Sequence, residues 1–330
     1  MKFLHSLVLV LVTLIMSVTA GPVALALDYP VHTVRIVVGF GPGTSPDIVA
    51  RLLGDKLFQA WGKPVVIENA AGANGNIAGE RVARAEPDGH TLLLAANPVI
   101  VINPSLYEKM PFDPVRDLVP ISQVCAYANI LIVNNDVPAK NVQELVAVAR
   151  ARPGTLTYGS AGFGSTLHLA GELLKSMAKV DILHVPYRGT FSPEVIAGRL
   201  SMAFVPPTTA LPLARDGKVR ALAVTSLERY AGAPDLPTMA ESGFPGFEVT
   251  VWFGLMAPAR TPPAIVEKLH RETVKILVMP EMRKRFDDLG IELIGNSPAE
   301  FAAVIDGEIP KWAKLVREAG IKLLDLPSPK

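Results

Sequence analysis

The stretch VRIVVGFGPGTSPDIVAR, residues 34–51, decides how the chain is read. Residues 34–38 are a short β-branched run, the composition of a strand buried on both faces, and the run stops at Gly39. The FGPGTS that follows holds too much Gly and Pro to continue either strand or helix. Ser45 then stands at the expected helix N-cap, Pro46 fits the first turn and Asp47 favours its positive end, while Ile48, Val49, Leu52, Leu53 and Leu57 form an apolar stripe. A parallel strand therefore ends and a helix begins across one small-residue loop. Such a junction leaves backbone N–H groups and a positive dipole end at a sheet edge, where an anion, above all a carboxylate, binds without a cationic side chain. The plain alternative is a capped βα connection and nothing more. A nucleotide is a poorer guest: Gly39, Gly41 and Gly43 form a G-x-G-x-G run, but the third fingerprint glycine falls at Thr44 and the lysine of a P-loop is absent.

The design recurs. Residues 65–69 read as a second strand, AGANGN as a second small-residue loop with Asn74 as its cap, and the next helix stops at Pro87-Asp88-Gly89. Residues 90–97 read as a third strand running into Asn97-Pro98, so three strand ends converge where open α/β sheets collect ligands. Residues 103–120 hold four prolines without a clean period and read as an irregular surface connection. Residues 121–135 carry the chain into a second domain, where Asn141 and Glu144 start a helix. There GSAGFG precedes a helix capped by Ser165, and a further strand, loop and helix fill 182–198. Residues 247–258 read as the strand that returns. Thr238 with Glu241 and Ser297 with Glu300 have capping-box spacing, and Pro310 predicts a kink in the last helix.

Lys2 followed by an apolar run and small residues reads as a secretory leader, cut after Ala26 with Ala20 as the alternative. Its apolar core is too short for a span, and no other stretch is long enough, so stable membrane insertion is not expected. Without residues 1–26 the chain holds 31 basic and 31 acidic residues. That neutrality argues against nucleic acid or an anionic membrane as partner. Cys125 stands alone, which excludes an internal disulfide. The size predicts two domains, 27–127 with 250–330 and 128–249.

Nearly the whole mature chain resembles the receptors of tripartite tricarboxylate transporters, the Bug family of periplasmic solute-binding proteins. The resemblance rests on VRIVVGFGPG..PDIVAR, VVIENAAGANGNIAGERVARAEPDGHTLL, INPSLY..MPFDPVRDLVPIS, YGSAGFGSTLHLAGELLK, HVPYRGTFSPEVIAGRLSMAF, GKVRALAVTS, LPTMAESGFPGFEVTVWFGLMAP and TPPAIVEKL. It implies an α/β, two-domain periplasmic binding protein of type II, a Venus flytrap. Each domain is then a mostly parallel sheet flanked by helices, with a ligand cleft between domains. It also implies a small carboxylate ligand, a di- or tricarboxylate or an aromatic acid. The partners would be the membrane permease subunits, or a sensor kinase, and the protein a periplasmic monomer. Carried over residue by residue, ligand contacts fall on Phe40, Gly43, Thr44, Ser45, Asp47, Asn74, Gly75 and Asn97 in the first domain. In the second they fall on Ser160, Gly164, Ser165, Thr166, His168, Tyr187 and Gly189.

Two departures from the family pattern bear on the ligand. Thr44-Ser45-Pro46 replaces a second glycine and stiffens the first loop. Val205-Pro206-Pro207 stands where relatives carry an acidic or amide residue, so Pro207 joins the expected contacts and the acid is expected to have an apolar or aromatic body. Asp47 would repel an anion, and its expected role is to hold the first loop by local hydrogen bonds. Phe40, Phe163 and Tyr187 are expected walls.

The rival class is a secreted serine hydrolase. The nucleophile elbow G-x-S-x-G fails at both Ser160 and Ser165. No histidines stand at metal spacing such as H-E-x-x-H, so neither a catalytic residue nor a metal or cofactor is expected.

Overall fold

The β-branched run forms β1 (Val34–Val38), four of its five residues buried, one strand in from the edge of the first of two sheets. The computed structural model describes residues 28–187 and 189–321, so the leader read over residues 1–26 lies outside the described residues. In chain order follow β2 (Val65–Asn69), β3 (Thr91–Ala96) and β4 (Leu118–Ala128), all in that first sheet. β5 (Ile130–Val133), β6 (Thr157–Ser160), β7 (Leu183–Pro186), β8 (Met202–Val205) and β9 (Arg220–Val224) make the second. β10 (Thr250–Pro258) and β11 (Glu292–Leu293) return to the first. The spatial orders are β11-β4-β10-β3-β1-β2 and β7-β6-β8-β5-β9.

Strands joined through helices pair in parallel, β1 with β2 and β3, and β6 with β7 and β8. β10 lies antiparallel to β3 and β4, and β5 antiparallel to β8 and β9. Each sheet is thus more evenly mixed than the alternation of strand and helix predicts. The strands at the crossings between sheets, β4, β5 and β10, account for the antiparallel pairs.

The helices are α1 (Ser45–Trp61), α2 (Asn76–Ala83), α3 (Asn103–Leu106), α4 (Val142–Ala151), α5 (Thr166–Ala178), α6 (Ser192–Ile196), α7 (Pro207–Arg215), α8 (Pro263–Leu277), α9 (Pro280–Asp288) and α10 (Pro298–Glu318). None of those described is long and apolar enough to cross a membrane. Asn141, Ser165 and Ser297 each cap a helix by accepting the N–H three residues on, as expected.

Other local expectations are corrected. Thr44 occupies the N-cap of α1 and Ser45 is already helical. Asn74 does not cap; it sits in a tight turn at φ 52°. The last helix runs from Pro298 to Glu318 with Pro310 inside it, because Trp312, Leu315 and Val316 beyond the proline are buried and packing holds the turn. Nor is 103–120 a surface connection. Leu106, Tyr107, Phe112 and Leu118 enter the core, and Phe112 packs so closely on Gly79 that a Cβ there would lie 2.3 Å from its ring.

The chain passes between the sheets through a knot of hydrogen bonds centred on Thr225. Its hydroxyl accepts from the Asn129 N–H (2.9 Å) and donates to the Val249 carbonyl (2.6 Å). Its own N–H donates to Asn129 and its carbonyl accepts from Val249, both at 2.9 Å. Trp252, just beyond, stands edge-on to Phe301 and donates its indole N–H to Glu308 (3.1 Å). Replacing Thr225 with Val would keep the shape but leave a buried N–H and a buried carbonyl unpaired. The expected loss is about 2–6 kcal/mol in chemical denaturation, at roughly 1–3 kcal/mol for each of the two orphaned groups, with Thr225→Ser close to wild type. A Thr225→Val loss no larger than that of Thr225→Ser would contradict this account of the crossing.

Candidate functional site

The loops that follow β1, β2, β6 and β7 enclose a cleft of about 790 Å³ between the two sheets. The first sheet contributes Gly39, Phe40, Gly41, Ala71, Gly72, Ala73, Asn74 and Gly75, with Tyr107 beyond α3. The second contributes Ala161, Gly162, Phe163, Pro186 and Tyr187. Among these described lining residues none carries a charge. Glycine and alanine leave their peptide groups uncovered, so the polar surface here is largely backbone, framed by four aromatic rings.

Asp47 gives the first loop its shape. Its Oδ2 accepts from the Gly43 N–H (2.9 Å) and Arg51 Nε (3.0 Å), and its Oδ1 from Arg51 Nη2 and Asn69 Nδ2, both at 2.9 Å. Asn69 Nδ2 also donates to the Phe40 carbonyl (2.9 Å), which ties β2 to the loop after β1. The Arg51 guanidinium, with the Gly43 and Asn69 donors, overrides burial and holds the carboxyl of Asp47 down at about 2. Thr44 Oγ1 closes the turn by donating to Gly41 (2.7 Å).

The second loop reaches across the cleft. Asn74 Nδ2 donates to Asn103 Oδ1 (2.8 Å) and to the Gly164 carbonyl of the facing loop (3.3 Å). Asn103 Nδ2 answers with bonds to the Asn74 carbonyl (3.2 Å) and Asn76 Oδ1 (2.7 Å). Gly75, at φ 91°, and Gly164, at φ 78°, have no room for a side chain. A Cβ would lie 2.4 Å from Val99 at the first and 2.4 Å from Leu106 at the second.

Behind the loop after β6 sits a buried polar group. Ser165 Oγ donates to the Gly162 carbonyl (2.7 Å) while capping α5, and the Gly164 N–H donates to His168 Nδ1 (3.2 Å). Ser160 Oγ lies 2.6 Å from His184 Nε2. The two imidazoles lie 4.2 Å apart with their planes tilted by 37°, and the exposed ring of Phe163 stands edge-on to both. Burial, and for His168 also the neighbouring His184, pushes both down to about 4, so both are neutral. Glu172 accepts from the Tyr158 hydroxyl (2.7 Å) and Lys175 (2.8 Å). Ser160 is fully buried, and among the described residues His184 Nδ1 has no hydrogen-bond partner of the kind that orients the imidazole of a catalytic triad.

Of the residues predicted from sequence, Phe40, Asn74, Gly75 and Tyr187 line the cleft, as does the expected wall Phe163. Ser45 and Pro207 instead line a separate apolar pocket of about 190 Å³, with Ile48, Tyr127 and Leu289. Gly43, Thr44, Asp47, Ser160, Gly164, Ser165, Thr166 and His168 line neither cavity; most hold the loops that do. Asn97 is fully buried at the end of β3, where its Nδ2 donates to Thr250 (3.0 Å). Gly189 is exposed and outside both cavities. Tyr107 escaped the sequence reading because its proline-rich surroundings carry no period. Gly41, Ala71 to Ala73 and Ala161 belong to recognisable loops, but a residue without a side chain carries no chemical signal of its own.

A family model described as the tripartite tricarboxylate transporter family receptor matches residues 49–321. BugT of Bordetella pertussis is 34% identical over 308 residues, 92% of this chain and 94% of its own. Among solved structures, R. palustris Rpa4515 with adipate superposes with a TM-score of 0.82 at 35% identity, covering 90% of this chain and 100% of that one. MatC from Rhodopseudomonas palustris with bound malate gives 0.78 at 34% identity, covering 87% and 100%.

The neutral histidine pair has a consequence for acid stability. Unfolded, both titrate near 6.5, so between about 6.5 and about 4 the unfolded chain binds more protons than the folded one. The contribution is complete above 6.5 and is lost as the pH falls towards 4. His184→Gln, which cannot take up a proton, is expected to flatten the dependence of the denaturation midpoint on pH across that window. An unchanged slope would contradict the assignment.

Proposed function

The chain belongs to the tripartite tricarboxylate transporter receptor family, and on that premise we propose that it is a periplasmic receptor that closes on a small carboxylate and hands it to the permease of such a transporter. The observation that carries this reading is the cleft itself: a wall of glycine and alanine peptides from both sheets, with no charged side chain among its described lining residues. A carboxylate leaving water must replace several strong hydrogen bonds. Peptide N–H groups at strand ends and helix starts supply them without a counter-ion. Charge-assisted bonds contribute about 1.5–3 kcal/mol each, so three or four support micromolar binding after ordering costs.

In this reading Phe40, Asn74, Gly75 and Tyr187, with Gly41, the 71–73 turn and the 161–163 turn, touch the ligand. Asp47, Ser165 and His168 hold those turns. The two lobes are residues 27–127 with 250–330 and residues 128–249, the leader directs secretion, and the receptor works as a monomer without catalysis. Adipate and malate in the two solved relatives are both dicarboxylates, which favours that class here. Four aromatic rings around the cleft favour an acid with an apolar body over a hydroxylated one.

A thermal-shift screen tests the reading, because a ligand that binds only the folded chain raises its melting temperature by mass action. Adipate and aromatic acids are expected to raise it more than malate, and sugars or cationic amino acids not at all. Stabilisation by sugars or cationic amino acids with no response to any acid would overturn the proposal. Gly164→Ala, which forces a methyl against Leu106 where the lobes meet, is expected to weaken acid binding by about tenfold or more in calorimetry, on the order of 1.4 kcal/mol. Unchanged affinity would show that this contact does not set the cleft.

A further inference from the structure

At the far end of the first sheet from the cleft, three side chains that can ligate a metal come together: His32 just before β1, and Asp88 and His90 just before β3. Local spacing conceals them, since His32 and His90 meet only because β1 and β3 are neighbours. Their donor atoms all lie within 4.8 Å of one another. Asp88 Oδ2 is 3.4 Å from His90 Nδ1 and 3.9 Å from His32 Nε2, and the two imidazoles face each other with centroids 3.7 Å apart. We propose that His32, Asp88 and His90 bind one divalent transition-metal cation of the zinc or nickel type, in a site separate from the carboxylate cleft.

The geometry supports a single ion. Bonds of about 2.0–2.1 Å at tetrahedral angles place ligand atoms roughly 3.3 Å apart, close to the shorter separation here. Rotation of the exposed His32 side chain closes the remainder. Two imidazole nitrogens and one carboxylate oxygen suit zinc, nickel or copper, whereas calcium and magnesium require mostly oxygen. Surrounding bonds orient the donors. The His90 N–H donates to Asp88 Oδ1 (2.9 Å), which turns Oδ2 towards the rings, and Tyr29 stands edge-on against His90 while its hydroxyl donates to Gly89 (2.6 Å). His32 and Asp88 are exposed, so solvent reaches the ion and completes its coordination.

Binding costs the free His90 ring its hydrogen bonds. His90 Nε2 accepts from the Val31 N–H at 3.2 Å, and Nδ1 lies 3.1 Å from the Asp88 carbonyl, so the free ring carries its proton on Nδ1. Coordination through Nδ1 requires the other tautomer and gives up both bonds, the one to the Asp88 carbonyl and the one from Val31, an exposed residue early in the described chain. In return the ion would pin the segment ahead of β1 to the start of β3, a strand's length of roughly 20 Å from the cleft loops.

Calorimetry of the untagged mature chain with zinc or nickel chloride, in a buffer without chelators, tests the proposal. One equivalent is expected to bind with micromolar affinity, to raise the melting temperature, and to bind at least tenfold more weakly in His32→Gln and in Asp88→Asn. The thermal response of both variants to adipate should match wild type, which separates failure here from failure of the receptor reading. Absence of saturable binding up to 1 mM metal, or equal affinity in wild type and both variants, would overturn the site.

Discussion

The four hydrogen bonds received by the Asp47 carboxylate are the interaction on which the cleft depends. A wall made of peptide groups works only if those groups are held still, because a loop that had to be ordered by its guest would offset most of the binding it offers. Asp47 spends its charge inside the protein, on Arg51, Asn69 and the Gly43 amide. What remains facing the cleft is a fixed array of dipoles without a competing anion. The negative residue beside an anion site is therefore a support for it: paired with Arg51, it contributes shape and little net field.

The facing wall follows the same logic with different residues. Ser165, His168 and the Ser160–His184 contact anchor the loop after β6 from behind, and the imidazoles remain neutral because burial disfavours their charge. Neutral rings accept and donate hydrogen bonds without adding a buried cation that would need its own partner. The Asn74 bond to Gly164 and the contact of Leu106 with the same glycine bring the walls to one spacing. Thr225 joins the crossings at the same strand ends that carry these loops, linking Asn129 and Val249 through one hydroxyl.

Much of this was legible in the sequence where the signal is local. The β-branched run to Val38, the caps at Asn141, Ser165 and Ser297, and the passage through residues 121–135 each follow from composition or spacing over a few residues. Reading failed where tertiary packing decides. Ser45 lost the cap to Thr44, Pro310 remained inside a helix held by Trp312, and Asn74 became a bridge between lobes because Asn103 and Gly164 lie within its reach. Tyr107 and Phe112 were hidden in a proline-rich stretch whose burial depends on Gly79 and the cleft. The cavity behind Ser45 and Pro207 was equally unreadable, since its two sides come from different sheets.

The central claim, that peptide groups from both sheets hold a negative guest together, is tested most directly by following backbone amide resonances while the mature chain is titrated with adipate. The account predicts concerted downfield shifts at Gly41, Gly72 and Ala73 of one lobe and at Ala161 to Phe163 of the other, with one shared midpoint. Shifts confined to one lobe, or centred on lysine and arginine side chains away from the cleft, would contradict it.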